Sequence, residues 1–172
     1  STGVSTLCDI ERALGITGVE RTTLMHCVTA YPAPEAEYNL RIISTRPAAF
    51  GVSVGISDHS TDPVLVPAAA VALGAPVVEK HFTLSRADGG LDDPIALEPQ
   101  AFAEMVTAIR SAEARSTEAT LDDLAARYGA DRLEAVLGDG VKRLAPAEAP
   151  NYGRSNRPIL ATADIAAGEP LG

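Results

Sequence analysis

Tryptophan is absent from this chain of 172 residues, and aromatic residues make up only 4% of it. Aliphatic side chains must therefore fill the core. There are two cysteines, Cys8 and Cys27, too few for a disulfide framework, which fits a reduced cytoplasmic compartment. No apolar run approaches the ~20 residues that cross a bilayer, so no membrane span is expected, and no signal peptide is visible. Positive charge is scarce: 14 Lys plus Arg stand against 23 Asp plus Glu, a net charge of −9. General nucleic-acid binding needs a basic surface and is disfavoured. A small anion held by a few local amides or cations remains compatible with that balance.

What is present is a strand–helix alternation from residue 1 to about 115. Ser1 to Gly3 reads as the loop after a strand that is not here. Thr6 and Asp9 form a capping-box pattern, and Leu7 to Leu14 reads as a helix closed by Gly15. Thr22 to Val28 is strand-like, and Glu35 to Thr45 reads as a helix after Pro32 and Pro34. Val52 to Ile56 is the next strand, Asp62 to Leu73 a helix stopped by Gly74, and Pro76 to Phe82 another strand. Arg86 to Pro94 is a polar loop. Pro99 to about Arg115 is an amphipathic helix with proline at its start. Such alternation predicts an α/β fold with parallel strands and covering helices. The strands are too few for an eight-stranded barrel but suit the C-terminal half of one. Residues 116–154 read as a helical extension and linker, and 155–172 as the opening of another small module. Ser1 in place of Met, and the missing strands, make the chain read as a piece of a longer one.

Two of the three histidines occupy matching places. His59 ends Val52-Ser-Val-Gly-Ile-Ser-Asp-His59, and His81 ends Ala75-Pro-Val-Val-Glu-Lys-His81. Parallel α/β folds carry their sites at such strand ends. Side chains alternate along a strand. Val52, Val54 and Ile56 then face the helices, while Ser53, Gly55, Ser57 and His59 face the other way. Val77, Glu79 and His81 share that second face, as do Cys27, Thr29 and Tyr31 from the earlier strand. Two neutral imidazoles converging there predict a divalent-metal or substrate site. His26 falls on the helix side and reads as a hydrogen-bonded structural residue. Cys27 reads as a small core residue, Cys8 as structural, and Lys80 as turned away from the site.

These segments carry a resemblance. His26-Cys-Val-Thr-Ala-Tyr-Pro-Ala-Pro34, Val54-Gly-Ile-Ser-Asp-His59 and Val78-Glu-Lys-His-Phe-Thr-Leu84 resemble the nonulosonic (sialic) acid synthase family. Leu97-Glu-Pro99 and Ser1-Thr-Gly3 fit it as well. The resemblance covers about residues 1–115, and the tail from Ser155 is similar to the start of the antifreeze-like (SAF) domain that follows the barrel. It implies a partial TIM (β/α)8 barrel, 1–115, then the extension and linker, then an incomplete SAF domain, 155–172. Arg86-Ala-Asp-Gly-Gly90 is most similar to pseudaminic acid synthases. Leu91 and Asp93 depart from the proline and histidine that sialic acid synthases carry, and Thr29 stands where those often have Asn. Legionaminic-type and spore-coat polysaccharide synthases stay open.

The resemblance implies condensation of phosphoenolpyruvate with an N-acetylated amino sugar, assisted by Mn2+ or Mg2+. It implies His59 and His81 as metal ligands. Asp92 and Glu79 become the catalytic carboxylates near the metal and its water, Thr29, Tyr31 and Ser57 the sugar pocket, and Ser1 a contact to the phosphate. It also implies a homodimer for the full-length protein, and inactivity for a chain without the earlier strands. A non-catalytic half-barrel that serves as an interaction subunit, and another phosphoenolpyruvate-condensing barrel such as a ketodeoxy-sugar acid synthase, are the competing readings.

Overall fold

A computed structural model describes residues 1–152 and 163–169. Three parallel strands, β1 (Thr23–Cys27), β2 (Ser53–Asp58) and β3 (Val78–Lys80), form a sheet in chain order. Each crossover passes through a helix, as parallel pairing requires. Helix α1 (Leu7–Thr17) precedes the sheet, α2 (Ile42–Phe50) joins β1 to β2, and α3 (Leu65–Ala72) joins β2 to β3. Then follow α4 (Pro99–Glu113), α5 (Thr117–Tyr128) and α6 (Ala130–Leu137). A parallel bridge between Phe82 and Leu97 continues the sheet past β3. At the other edge the Thr2 N–H and hydroxyl both reach the Met25 carbonyl.

The faces divide as the alternation predicts. Leu24, Val54 and Ile56 are buried in one aliphatic core with Ile10 and Leu14 of α1 and Leu65, Val66 and Ala69 of α3. Ala and Val dominate α3, which suits a helix buried against a sheet on one side and helices on the other. On the opposite face Thr23, Ser53, Val77 and Glu79 are exposed. Gly55 lies between β1 and β3 there, where an added Cβ would meet the Val77 carbonyl at 2.7 Å and Met25 Sδ at 2.8 Å.

Several boundaries differ from the sequence reading. Helix α1 passes through Gly15 and ends at Gly18, whose φ of 81° suits glycine. Its capping box is present: Thr6 accepts from the Asp9 N–H, and Asp9 accepts from the Thr6 N–H. The single helix expected over Glu35 to Thr45 is a 3-10 turn, Glu35–Glu37, and then α2. Asn39 breaks them apart with a φ of 52°, a conformation asparagine tolerates better than most residues. Asp62 does not open α3; its Oδ1 accepts from the Val64 and Leu65 N–H groups at the start of the helix. The expected linker carries a 3-10 segment, Pro146–Asn151, with Glu148 buried. Of the expected SAF opening, residues 155–162 and 170–172 lie outside the described residues, and 163–169 form a bend and a turn.

Candidate active site

The C-terminal ends of the strands gather the polar side chains. β2 ends at Asp58, so His59 leaves the sheet on the side opposite the helices, and His81 follows β3 in the same sense. Their ring centroids lie 5.3 Å apart with planes at 67°. A metal–nitrogen bond is about 2 Å long, so these rings stand within reach of one shared ion. The loop after β1 folds over them: the Ala33 N–H donates to the His59 carbonyl at 3.0 Å. Tyr31 thereby stacks on His59, with centroids 4.2 Å apart, and meets His81 edge-on at 5.9 Å.

The hydrogen bonds of His59 define its chemistry. Nδ1 lies 2.8 Å from the Val28 carbonyl, which can only accept. The ring proton of the neutral imidazole therefore sits on Nδ1, and Nε2 keeps its lone pair. That is the usual arrangement of a metal-ligating histidine, oriented through its second nitrogen. Nδ1 also stands 3.9 Å from Cys27 Sγ, but a nitrogen already donating to Val28 cannot act as base toward the thiol. Burial pushes the Cys27 thiol above its ordinary pKa, against the Thr29, Ser57 and Ser1 hydroxyls, which lower it. Cys27 is thus a core residue, as its sequence context indicates, and not an activated nucleophile.

His81 meets a carboxylate: Asp92 Oδ2 lies 3.4 Å from its Nδ1. Asp92 reaches it because the polar loop folds tightly. Gly90 donates to Asp93 Oδ2 at 2.6 Å, and Ile95 and Ala96 donate to the Asp92 carbonyl. On the neighbouring register pair, Ser57 donates to Glu79 Oε1 at 3.3 Å. Burial pushes the Tyr31 phenol above its ordinary pKa, with Cys27, Asp92 and Glu79 adding to the effect. All eight candidate residues thus belong to one connected group. Tyr31 and Asp92 touch the imidazoles directly, Ser57 holds Glu79, and the Cys27 thiol, beside His59 Nδ1, lies by the Thr29, Ser57 and Ser1 hydroxyls. Among the described residues no group of three His, Cys, Asp or Glu side chains is arranged to hold a metal ion. The two imidazoles are the donors suited to one.

The roles of several surrounding residues escape the sequence reading. Behind the histidines, Lys80 Nζ pairs with Asp58 Oδ2 at 2.7 Å and also donates to the Ser60 carbonyl. Asp58 Oδ1 accepts from Tyr38 Oη and the Ser60 N–H, both at 2.8 Å, and Tyr38 Oη accepts from the His59 N–H at 2.7 Å. Burial and the Asp58 charge push the Tyr38 phenol far up, so it stays a donor to Asp58. Glu148 and Asn151 reach Thr29 from the far end of the chain. His26 is buried and bonds the Tyr38 carbonyl through Nε2, the structural role expected of it.

Comparisons with known proteins give the chain its family. The NeuB family model matches residues 1–120. The chain is 37% identical to an N,N'-diacetyllegionaminic acid synthase of Campylobacter jejuni, a match covering 98% of the chain and 46% of that protein. It is also 37% identical to a pseudaminic acid synthase of the same species, over 71% of the chain and 36% of that protein. Among solved structures, the spore coat polysaccharide biosynthesis protein SpsE of Bacillus subtilis superposes with a TM-score of 0.67 at 36% identity. That superposition covers 84% of the chain and 39% of SpsE. The chain spans less than half the length of these relatives. The family-model match over most of the chain and the identity to these relatives together show that the chain belongs to the NeuB family of nonulosonic acid synthases.

Proposed function

We propose that this chain is the metal-binding half of a nonulosonic acid synthase, joining phosphoenolpyruvate to an N-acetylated amino sugar. In this reading residues 1–115 are the C-terminal half of a TIM barrel, 116–154 its helical extension and linker, and 155–172 the start of an SAF domain. The whole protein would be a cytoplasmic homodimer. The observation that carries the reading is the His59–His81 pair, with Nδ1 of His59 committed to Val28 and Nε2 left to bind.

The residues fit a divalent cation, Mn2+ or Mg2+, held by His59 and His81. When bound, the cation supplies Lewis-acid polarisation of the sugar aldehyde. Tyr31, stacked on His59, and Thr29 and Ser57 beside it, orient the sugar. Ser1 meets the phosphate. The methylene carbon of phosphoenolpyruvate then forms the new bond to the aldehyde carbon. Positive charge develops on the carbon that carries the phosphate, where the Glu79 carboxylate favours it and orients the incoming water. The tetrahedral adduct breaks its carbon–oxygen bond and releases phosphate. Asp92, against His81 Nδ1, orients that ring. The Arg86–Gly90 loop favours a pseudaminic-type acceptor. The match over nearly the whole chain to a legionaminic synthase favours that type, and assays with both acceptors separate the two.

The test is Mn2+ titration of the wild type, His59→Ala and His81→Ala, followed by electron paramagnetic resonance. Each substitution is expected to weaken binding at least tenfold. Equal affinity in all three proteins leaves the non-catalytic half-barrel as the better reading.

A further inference from the structure

The segment Pro146–Asn151 lies beyond residues 1–120, which the family model matches, yet two of its side chains hold the main chain where β1 runs out. Glu148 is 1% exposed. Its Oε1 accepts from the N–H groups of Thr29 and Val4, each at 2.9 Å, and its Oε2 from that of Ala145 at 3.1 Å. Asn151 Nδ2 donates to the Thr29 carbonyl at 3.0 Å. Both main-chain groups of Thr29 are thus taken by side chains of one short segment, where a neighbouring strand would otherwise serve. Gly3 closes in on the same residue: a Cβ there would stand 1.9 Å from Thr29 Oγ1.

A buried carboxylate is costly unless its oxygens are satisfied. Burial pushes Glu148 up, but the N–H groups of Thr29, Val4 and Ala145, with Lys142 nearby, bring it net below the usual carboxylate value. It is therefore a charged acceptor that ties two distant stretches of chain to its own segment. Both distant stretches carry proposed substrate contacts: Ser1 precedes Val4, and Thr29 leads into Tyr31.

We propose that Glu148 and Asn151 are positioning residues for the acceptor-sugar pocket, fixing the main chain from Thr29 to Tyr31 and so the ring that stacks on His59. The proposal rests on the reading above that Thr29 and Tyr31 contact the sugar. Its logic is pre-organisation: a loop already held in its binding geometry loses less entropy when the ligand arrives.

The test uses Glu148→Ala, Glu148→Gln and Asn151→Ala in the full polypeptide that carries these residues. Phosphate release is followed with phosphoenolpyruvate and a panel of N-acetylated and N,N'-diacetylated hexosamines. Glu148→Ala and Asn151→Ala are expected to raise the KM for the sugar about tenfold, the loss of a hydrogen bond to a charged or well-ordered group, with kcat nearly unchanged and Mn2+ affinity unaltered. Glu148→Gln keeps an acceptor oxygen for Thr29 and Val4 and is expected to restore most of the KM. A residue that merely held the fold together would lower the active fraction, so kcat would fall at constant KM. That pattern would overturn the proposal. Should Glu148→Ala fail to fold, the half-buried Asn151 carries the same expectation. Hydrogen exchange at the Thr29 amide needs no substrate. It is expected to quicken in Glu148→Ala, or in Asn151→Ala as the end of β1 loosens, and unchanged exchange in every folded variant overturns the positioning role. A wild-type polypeptide that includes the earlier strands and turns over no sugar while its Thr29 amide stays protected overturns the synthase reading instead.

Discussion

Asp58 and Lys80 form an ion pair 2.7 Å long whose side chains are 0% and 1% exposed. They are register partners on β2 and β3, and each immediately precedes a histidine of the site. The pair therefore fastens the two strand ends from behind, at the level where the imidazoles leave the sheet. Its remaining oxygen is satisfied by Tyr38 and Ser60.

Removing one member of such a pair leaves a buried charge without compensation, at a cost of about 3–5 kcal/mol. Lys80→Met is predicted to lose that much stability in urea titration. Asp58→Asn with Lys80→Met should recover a large part of it, because no bare charge remains. A loss below about 1 kcal/mol in the single variant would mean that the pair does not hold the strands together.

Nitrogen-15 NMR of the histidine rings reads the donor assignment directly. Neutral His59 is predicted to carry its proton on Nδ1, because the Val28 carbonyl offers only an acceptor. The opposite tautomer would place a hydrogen where the metal reading needs a lone pair.

Gly55→Ala puts a methyl group 2.7 Å from the Val77 carbonyl, which itself accepts the Ile56 N–H. β2 and β3 must part to admit it. The expected cost is about 1–3 kcal/mol, together with weaker Mn2+ binding as the imidazoles separate. Gly15→Ala is the control: nothing lies within 4 Å of its added Cβ, and inside α1 it should stabilise by about 0.5–1 kcal/mol. Equal loss from both substitutions would defeat the argument.

Tyr128 reports on the helical layer. Its hydroxyl donates to Asp62 Oδ1 at 3.0 Å, and burial together with the Asp62 charge pushes its phenol up to about 12 from 10. The folded state thus holds this proton more tightly than the unfolded chain does. Its contribution to stability is complete below pH 10 and is lost as pH rises from there through about 12. Tyr128→Phe should flatten that alkaline decline, and an unchanged slope would show that other groups cause it.

Strand parity made the face of the candidate site readable. It turned Ser57, His59, Glu79 and His81 to one side and His26 and Lys80 to the other, as the structure has them. It did not reveal that Lys80 answers Asp58. That pairing depends on the register of two parallel strands joined through α3, and no tight turn sets such a register. Asn39 was the available signal for the break inside Glu35 to Thr45, since asparagine is among the few residues that accept positive φ. Glu148 gave no local signal. It sits in a stretch of Pro and Ala that reads as a connector, and its partners Val4 and Thr29 stand more than a hundred positions away in sequence.

The pleat gives the buried lysine one more consequence. Slide β3 by a single position against β2 and the ammonium would enter the imidazole cluster while His81 sank among the leucines and valines. Both halves of that exchange are penalised, one by charge repulsion toward any cation and the other by a stranded carboxylate. Alignment of the two chain segments is thereby proof-read by electrostatics, on the helix-covered side of the sheet.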